Sequence, residues 1–212
     1  MTRCFQQTLL YEFLFFLIPP IDIIFQLEIN EWQGYNPIIN KTFIVDHGMV
    51  HLRSITAEDI ARIKNWPAYV DGFAQIDYAL RDNGWLDEYR DRPQTSIFIA
   101  EVNRQAAGFC LLSSTATGDA EFRIAIHPRK TGMGLGRKVA VATLKKGFRG
   151  LNLDKIHLIV RKNNLPAIRL YQSIGFKKFG ESTHMIQGKQ IECDDMALTK
   201  EEFMHLSIEE AK

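Results

Sequence analysis

Eleven consecutive residues constrain this chain more than any others: His127-Pro128-Arg129-Lys130-Thr131-Gly132-Met133-Gly134-Leu135-Gly136-Arg137. They follow a segment, Gly118–Ile126, in which Phe122, Ile124 and Ile126 alternate with Glu121, Arg123 and Ala125, the period of a strand. They run into Leu135, Val139, Ala142/Thr143 and Phe148, whose spacing predicts a helix over Gly134–Arg149 with one buried face. Glycines at 132, 134 and 136 let backbone N–H groups face inward without Cβ interference. The helix N-terminus behind them adds unpaired donors and partial positive charge. Such a turn suits a pyrophosphate, and Arg129, Lys130, Arg137 and Lys138 are further cations for it. The spacing is neither GxxxxGKS/T nor GxGxxG, because Arg137, Lys138 and Val139 follow Gly136. Taken alone, the glycines also fit an ordinary flexible strand–helix turn.

The residues around this turn read as alternating α and β. Met49–Ile55 has strand alternation. Thr56 is placed to cap a helix over Ala57–Trp66, with Asp59 at the third position of a capping box. Gln75–Tyr89 reads as helical, weakened by Gly84. Ser96–Val102 and Gln105–Ser113 predict a hairpin around Asn103-Arg104. Beyond the glycine turn, Lys155–Arg161 is a β-branched strand. Ala167, Leu170, Tyr171 and Ile174 then recur at helical spacing. Asn163 or Asn164 is the candidate cap of that helix, Pro166 suits its first turn and Gly175 its end. Phe176–Ile186 and Lys189–Leu198 predict a last hairpin around Gln187-Gly188.

Charge and cysteine usage exclude several classes. With 26 Lys+Arg against 25 Asp+Glu, the net charge of +1 is far from the cationic excess that coating nucleic acid needs. Cys4, Cys110 and Cys193 are too few and too scattered for a disulfide framework, and they lack zinc-ligand spacing. A reducing, cytoplasmic setting without a structural metal is the expectation.

Residues 1–48 differ from the rest. They hold Phe5, Phe13, Phe15, Phe16, Phe25 and Phe43 and carry a net charge of −3, leaving +4 for residues 49–212. Leu9–Ile18 is apolar except for Glu12 and ends at Pro19-Pro20, too short for a bilayer span of about 20 residues. No small-residue cleavage site follows it. The segment reads as a hydrophobic arm packing on the domain or across a homodimer, as a membrane contact, or as an upstream extension. The first and last suit its pattern better. The domain proper is expected over 49–212.

Together with the glycine turn, Asn164-Leu165-Pro166-Ala167-Ile168-Arg169-Leu170-Tyr171, followed by Gly175-Phe176, resembles the GNAT superfamily of N-acetyltransferases over about residues 49–200. The resemblance implies an α/β fold with a mixed central sheet, flanked by helices, that splays open between the strand ending at Ile126 and Lys155–Arg161. It implies acetyl-CoA as the donor and a primary amine as the acceptor. The pantetheine arm would lie in the splay. Ala125, Ile126 and His127 would contact it, Met133, Gly134, Leu135, Gly136, Arg137 and Lys138 would hold the pyrophosphate, and Asn164 would touch the arm. One position departs from the family pattern. Thr131 stands where Arg or Gln is expected, which weakens the phosphate grip unless Lys130 or Arg129 compensates.

The implied reaction is attack of an amine on a thioester. It needs a sink for the ammonium proton, donors for the oxyanion and a proton for the leaving thiolate. Tyr171, at the family's tyrosine position, is the candidate acid, and it also fits as a core tyrosine on the Ala167/Leu170/Ile174 stripe. Glu121 is the candidate base, acting through water or with a raised pKa. Its other reading is a strand charge facing Arg123. His127 suits a structural place better than a base, and Cys110 suits core packing. Trp66, Tyr69, Phe73, Tyr78 and Trp85 either wall the acceptor site or pack the two-helix region. The acceptor class stays open among small metabolites, aminosugars and protein or peptide termini. A non-catalytic acyl-CoA-binding module with the same fold is the alternative.

Overall fold

The computed structural model describes residues 49–70 and 74–209, so the expectations for residues 1–48 lie outside the described residues. The chain runs β1 (His51–Ser54), α1 (Ala57–Lys64), a 3-10 helix (Ala74–Leu80), α2 (Trp85–Arg90), β2 (Thr95–Val102), β3 (Gln105–Ala116) and β4 (Asp119–Ile126). It continues with α3 (Leu135–Lys145), β5 (Lys155–Arg161), α4 (Leu165–Ser173), β6 (Lys177–Ile186), β7 (Lys189–Thr199) and α5 (Lys200–Glu209). Among the described residues, seven strands form one mixed sheet in the order β1-β2-β3-β4-β5-β7-β6. Every neighbouring pair is antiparallel except β4–β5.

Local chemistry explains most boundaries. Thr56 and Asp59 form the expected reciprocal capping box at the start of α1. Asp59 is buried and also takes both terminal guanidinium nitrogens of Arg53, at 2.5 and 2.9 Å, while Arg53 Nε reaches Glu101 at 2.9 Å. This ties β1, α1 and β2 together. Asn103 and Arg104, at φ 51° and 61°, close the β2–β3 hairpin, and Gln187-Gly188 closes β6–β7.

The expected single helix over Gln75–Tyr89 is two pieces. Asn83 takes φ 60°, and a Cβ on Gly84 would lie 1.9 Å from the Tyr78 carbonyl oxygen. That close approach breaks the chain direction between the 3-10 helix and α2. The helix after the glycine turn is α-helical to Lys145 and finishes as a π turn over Lys146–Gly150, where Leu151 N donates to Lys146 O. β1 is shorter than its alternating pattern predicted, and α5 was not expected from the sequence.

Two apolar layers flank the sheet, as the strand alternation requires. On one face Phe122, Leu158 and Val160 pack with Val139, Ala140 and Leu144 of α3, and Ile124 and Ile126 lean on the same layer. On the other, Ala125, Phe109 and Leu111 pack with Ile63, Trp66, Trp85 and Tyr89 from α1, α2 and the segments beside them. Glu121, Arg123 and Ala125 of β4 therefore share a face with His157, Ile159 and Arg161 of β5, opposite α3.

Candidate active site

The sheet parts where the family resemblance implied a splay. β4 and β5 pair only at Asp119↔Lys155, Ala120↔Ile156 and Glu121↔His157. From Phe122 to Ile126, β4 keeps β3 on one edge and, among the described residues, has no strand partner on the other. His127 N donates to Ala107 O at 2.8 Å. By the alternation of an antiparallel ladder, Ile124 and Ile126 therefore turn their N–H and C=O groups toward the gap. The Tyr69 hydroxyl donates to the Ile126 carbonyl there. A cleft of about 780 Å³ opens in this gap and is lined from β4, β5, α4, the glycine turn, the 3-10 helix, α2 and the β6–β7 turn.

At one end of the cleft lies the glycine turn. Gly132 and Gly134 have φ of 77° and 73°, and a Cβ on either would meet open space. A side chain there would be strained and would project where a ligand approaches the backbone. Gly134 begins α3 without any side-chain cap, so the first-turn N–H groups remain available to an anion. Gly136 serves packing instead: its Cβ would lie 3.1 Å from Leu170 Cδ1 of α4. Thr131 Oγ1 donates to Pro128 O and closes the turn on itself. Lys130 lines the cleft and donates to Ala106 O at 3.1 Å, and burial lowers its pKa. The turn thus fits a phosphate through backbone donors, with Lys130 as the nearby cation on the cleft wall.

The residues expected to hold a CoA molecule fall into two groups. Ala125, Ile126, Gly134, Gly136 and Asn164 line the cleft. Asn164 caps α4 through its side-chain oxygen, which accepts from Ala167 N at 3.4 Å. Met133, Leu135, Arg137, Lys138 and His127 do not line it. Leu135 packs its side chain with Val102 and Ala107, so only its backbone can serve a ligand. Arg137 donates to Ser173 O at 2.9 Å and ties α3 to the end of α4. Met133 and Lys138 are exposed. His127 Nδ1 accepts from Arg129 N, and its ring lies 4.6 Å from that of Trp66. Burial and then the Lys130 and Arg129 charges push its pKa down, which keeps the ring neutral.

Tyr171 lies on the cleft floor, edge-on to Phe122 and Phe176. Its hydroxyl makes no hydrogen bond to the described residues. Burial pushes the phenol well above its ordinary value, against the opposing pull of the Arg123 charge. The group therefore holds its proton through neutral pH, the state a donor requires. The ring is also packed, so both readings of this position meet in one residue.

Glu121 does not line the cleft. Its Oε2 accepts from Tyr89 Oη and its Oε1 from Arg123, at 2.8 Å from both Nε and Nη2. Both carboxylate oxygens are thus engaged, and the residue they orient, Arg123, does face the cleft.

The aromatic set divides. Trp66 packs in the core with Phe109, whereas Tyr69, Tyr78 and Trp85 also line the cleft, and Phe73 lies outside the described residues. Cys110 is buried in β3, accepts from Thr143 Oγ1 and has its thiol pushed up to about 12 by burial, consistent with packing alone. Sequence reasoning missed Arg161 and Glu88, which line the cleft from β5 and α2. The only signal for Arg161 was its position at the end of the strand in phase with His157 and Ile159. Among the described residues no cluster of three or more His, Cys, Asp or Glu is arranged for a metal ion, and no helix is long and apolar enough to cross a membrane.

Comparison with known proteins agrees with this geometry. The model of the acetyltransferase (GNAT) family matches residues 60–176. The chain is 38% identical over 89 residues to spermidine N(1)-acetyltransferase of Escherichia coli (strain K12), covering 41% of this chain and 48% of that protein. It is 39% identical over 141 residues to mycothiol acetyltransferase of Acidothermus cellulolyticus, covering 58% and 43%. The aligned parts thus span about half the length of these relatives. The structure of spermidine N-acetyltransferase from Vibrio cholerae in complex with CoA and spermine superposes with a TM-score of 0.59 at 22% identity, over 74% of this chain and 98% of that one, which shows a shared fold. The family match covers more than half of the sequence, and the chain belongs to the acetyltransferase (GNAT) family.

Proposed function

We propose that this protein transfers the acetyl group of acetyl-CoA to a primary amine. The observation that carries the reading is the parting of β4 and β5 beyond Glu121 and His157, with an uncapped, glycine-lined helix start at one end and Tyr171 on the floor. The unpaired edge of β4 offers backbone groups for the amides of a pantetheine arm. The first turn of α3 and the Gly132–Gly134 backbone receive the pyrophosphate, and Lys130 supplies a compensating charge. Asn164 holds the arm from the opposite side.

In this reading the thioester carbonyl sits beside the gap-facing N–H groups of β4, which stabilise the oxyanion as the amine attacks. The C–S bond breaks, and Tyr171 donates its proton to the departing thiolate. Glu121 acts as a positioning residue: it fixes Arg123, and the ammonium proton leaves to water in the open cleft. Relatives named for spermidine and mycothiol support a small-molecule amine as acceptor.

The test is thiol release from acetyl-CoA with a broad panel of primary amines, with mass detection of the acetylated product. Amine-dependent release is the expected result. CoA binding without release across the panel would mean a binding module with the family fold.

A further inference from the structure

The charges lining the cleft bear on the acceptor. Five of its residues carry formal charge: Asp82, Glu88, Arg123, Lys130 and Arg161. Three are already engaged. Asp82 pairs with Lys64 at 2.6 Å, Arg123 pairs with Glu121 at 2.8 Å, and Lys130 is turned to the Ala106 carbonyl beside the glycine turn. Arg161 has no carboxylate partner among the described residues. Its guanidinium carbon stands 5.5 Å from the centroid of the Tyr78 ring. Glu88, exposed on α2, also has no side-chain partner among the described residues. Tyr78 lines the cleft with both, and its phenol, raised chiefly by burial, is pulled down by the Arg123 and Arg161 charges and pushed up by that of Glu88.

These groups lie on the sheet face opposite α3, because Arg161 and Arg123 are in phase with Glu121 and Ala125 and out of phase with the Phe122/Val160 layer. The pyrophosphate turn belongs to the α3 side. Arg161 is therefore placed to meet the acceptor and not the phosphates of the donor.

Resting on the acetyltransferase reading, we propose that the acceptor is an amine carrying one carboxylate, and that Arg161 binds that carboxylate. A guanidinium offers paired donors matched to a carboxylate. A half-buried cation facing a ligand cleft is stabilised by a ligand anion in the way a buried ion needs a partner. One uncompensated guanidinium suits one negative charge. Glu88, which lines the same cleft from α2, disfavours a dianion and draws the ammonium end of a zwitterion inward. A polyamine, with several positive charges, meets the wrong sign at Arg161.

The test sets α- and ω-amino acids against their amino amides and matched alkylamines, with spermidine as the polycation, all at saturating acetyl-CoA. The expected result is a kcat/KM at least about tenfold higher for an amino acid than for its amide, carried mostly by KM. In Arg161→Gln that ratio falls toward one, and in Arg161→Lys it lies between. Both substrates are read on the same variant, so any loss of folded protein cancels from the ratio. A wild-type ratio near one, spermidine outrunning every amino acid, or a ratio unmoved in Arg161→Gln would overturn the inference while leaving the acetyltransferase reading intact. Absence of thiol release with every amine would overturn both.

Discussion

Glu121 and His157 form the last rung between β4 and β5, and the cleft begins beyond them, at Phe122 on β4 and Ile159 on β5. The same Glu121 whose backbone closes the ladder uses its side chain to hold Arg123 against the cleft wall. Sheet geometry and site electrostatics thus meet at a single residue. The parting leaves an interior strand, β4, without a strand partner beyond Glu121 among the described residues, a feature that is costly unless side chains such as Tyr69, water or a strand-like ligand satisfy its backbone groups.

Replacement of Gly134 tests the phosphate turn. At φ 73° a β-branched side chain adds roughly 1–2 kcal/mol of backbone strain, small beside a typical total stability of about 5–15 kcal/mol. Gly134→Val is therefore expected to fold, with its added atoms projecting into the open space before α3. CoA affinity measured by calorimetry should fall by at least about tenfold, and less in Gly134→Ala. Unchanged affinity in a folded Gly134→Val protein would remove the turn from the binding site.

The Arg53–Asp59 pair predicts an acid-sensitive step in stability. Arg53 and the Thr56 groups hold the Asp59 carboxyl well below the usual carboxylate range, against the opposing effect of burial. A depressed folded-state pKa contributes stability that is complete above the unfolded value of about 3.9 and is lost as pH falls below it toward the folded value. Asp59→Asn should cost about 1–3 kcal/mol at neutral pH, discounted because Arg53 is partly exposed. It should also flatten the decline in melting temperature between about pH 5 and pH 2. An equally steep decline in the variant would assign acid sensitivity elsewhere.

What the sequence disclosed, and what it hid, follows from the range of the interactions involved. The Thr56/Asp59 box, the Asn164 cap, the Asn103-Arg104 turn and the limits of β5 are set by neighbours within a few residues, and each formed as expected. The splay was legible only through family resemblance. The break at Gly84 depends on a close approach to the Tyr78 carbonyl that no periodicity encodes. Glu121 is engaged by Tyr89, 32 residues away, so its absence from the cleft lining could not be judged from strand alternation. Arg161, Tyr78 and Glu88 come from three elements, and nothing in their spacing joins them before the chain folds.

Glu121→Gln separates a positioning carboxylate from a base. With both oxygens engaged, loss of its charge frees Arg123 but removes no proton acceptor from the cleft. Acceptor KM should rise, kcat should fall by less than about tenfold, and the acidic limb of the pH profile of kcat/KM should persist. A general base would show a loss of about 10²–10⁴-fold and disappearance of that limb. The second pattern would restore Glu121 as the proton acceptor.

Tyr171→Phe tests the proposed acid. The substitution keeps the edge-on contacts with Phe122 and Phe176 and deletes a hydroxyl that has no partner among the described residues. Stability should therefore change little. If the hydroxyl protonates the leaving thiolate, turnover falls by at least about tenfold with acetyl-CoA affinity nearly intact, water supplying part of the lost proton. The pH dependence carries a second signature. Because burial raises the phenol above its ordinary value of about 10, wild-type turnover should show no loss from Tyr171 ionisation between neutrality and about pH 10. A thiol-release assay from pH 6 to pH 10, with the chemical step shown to be rate-limiting, reads both effects. Near-wild-type turnover in a folded Tyr171→Phe protein would reduce Tyr171 to a packing residue, and protonation of the thiolate would then fall to solvent in the cleft.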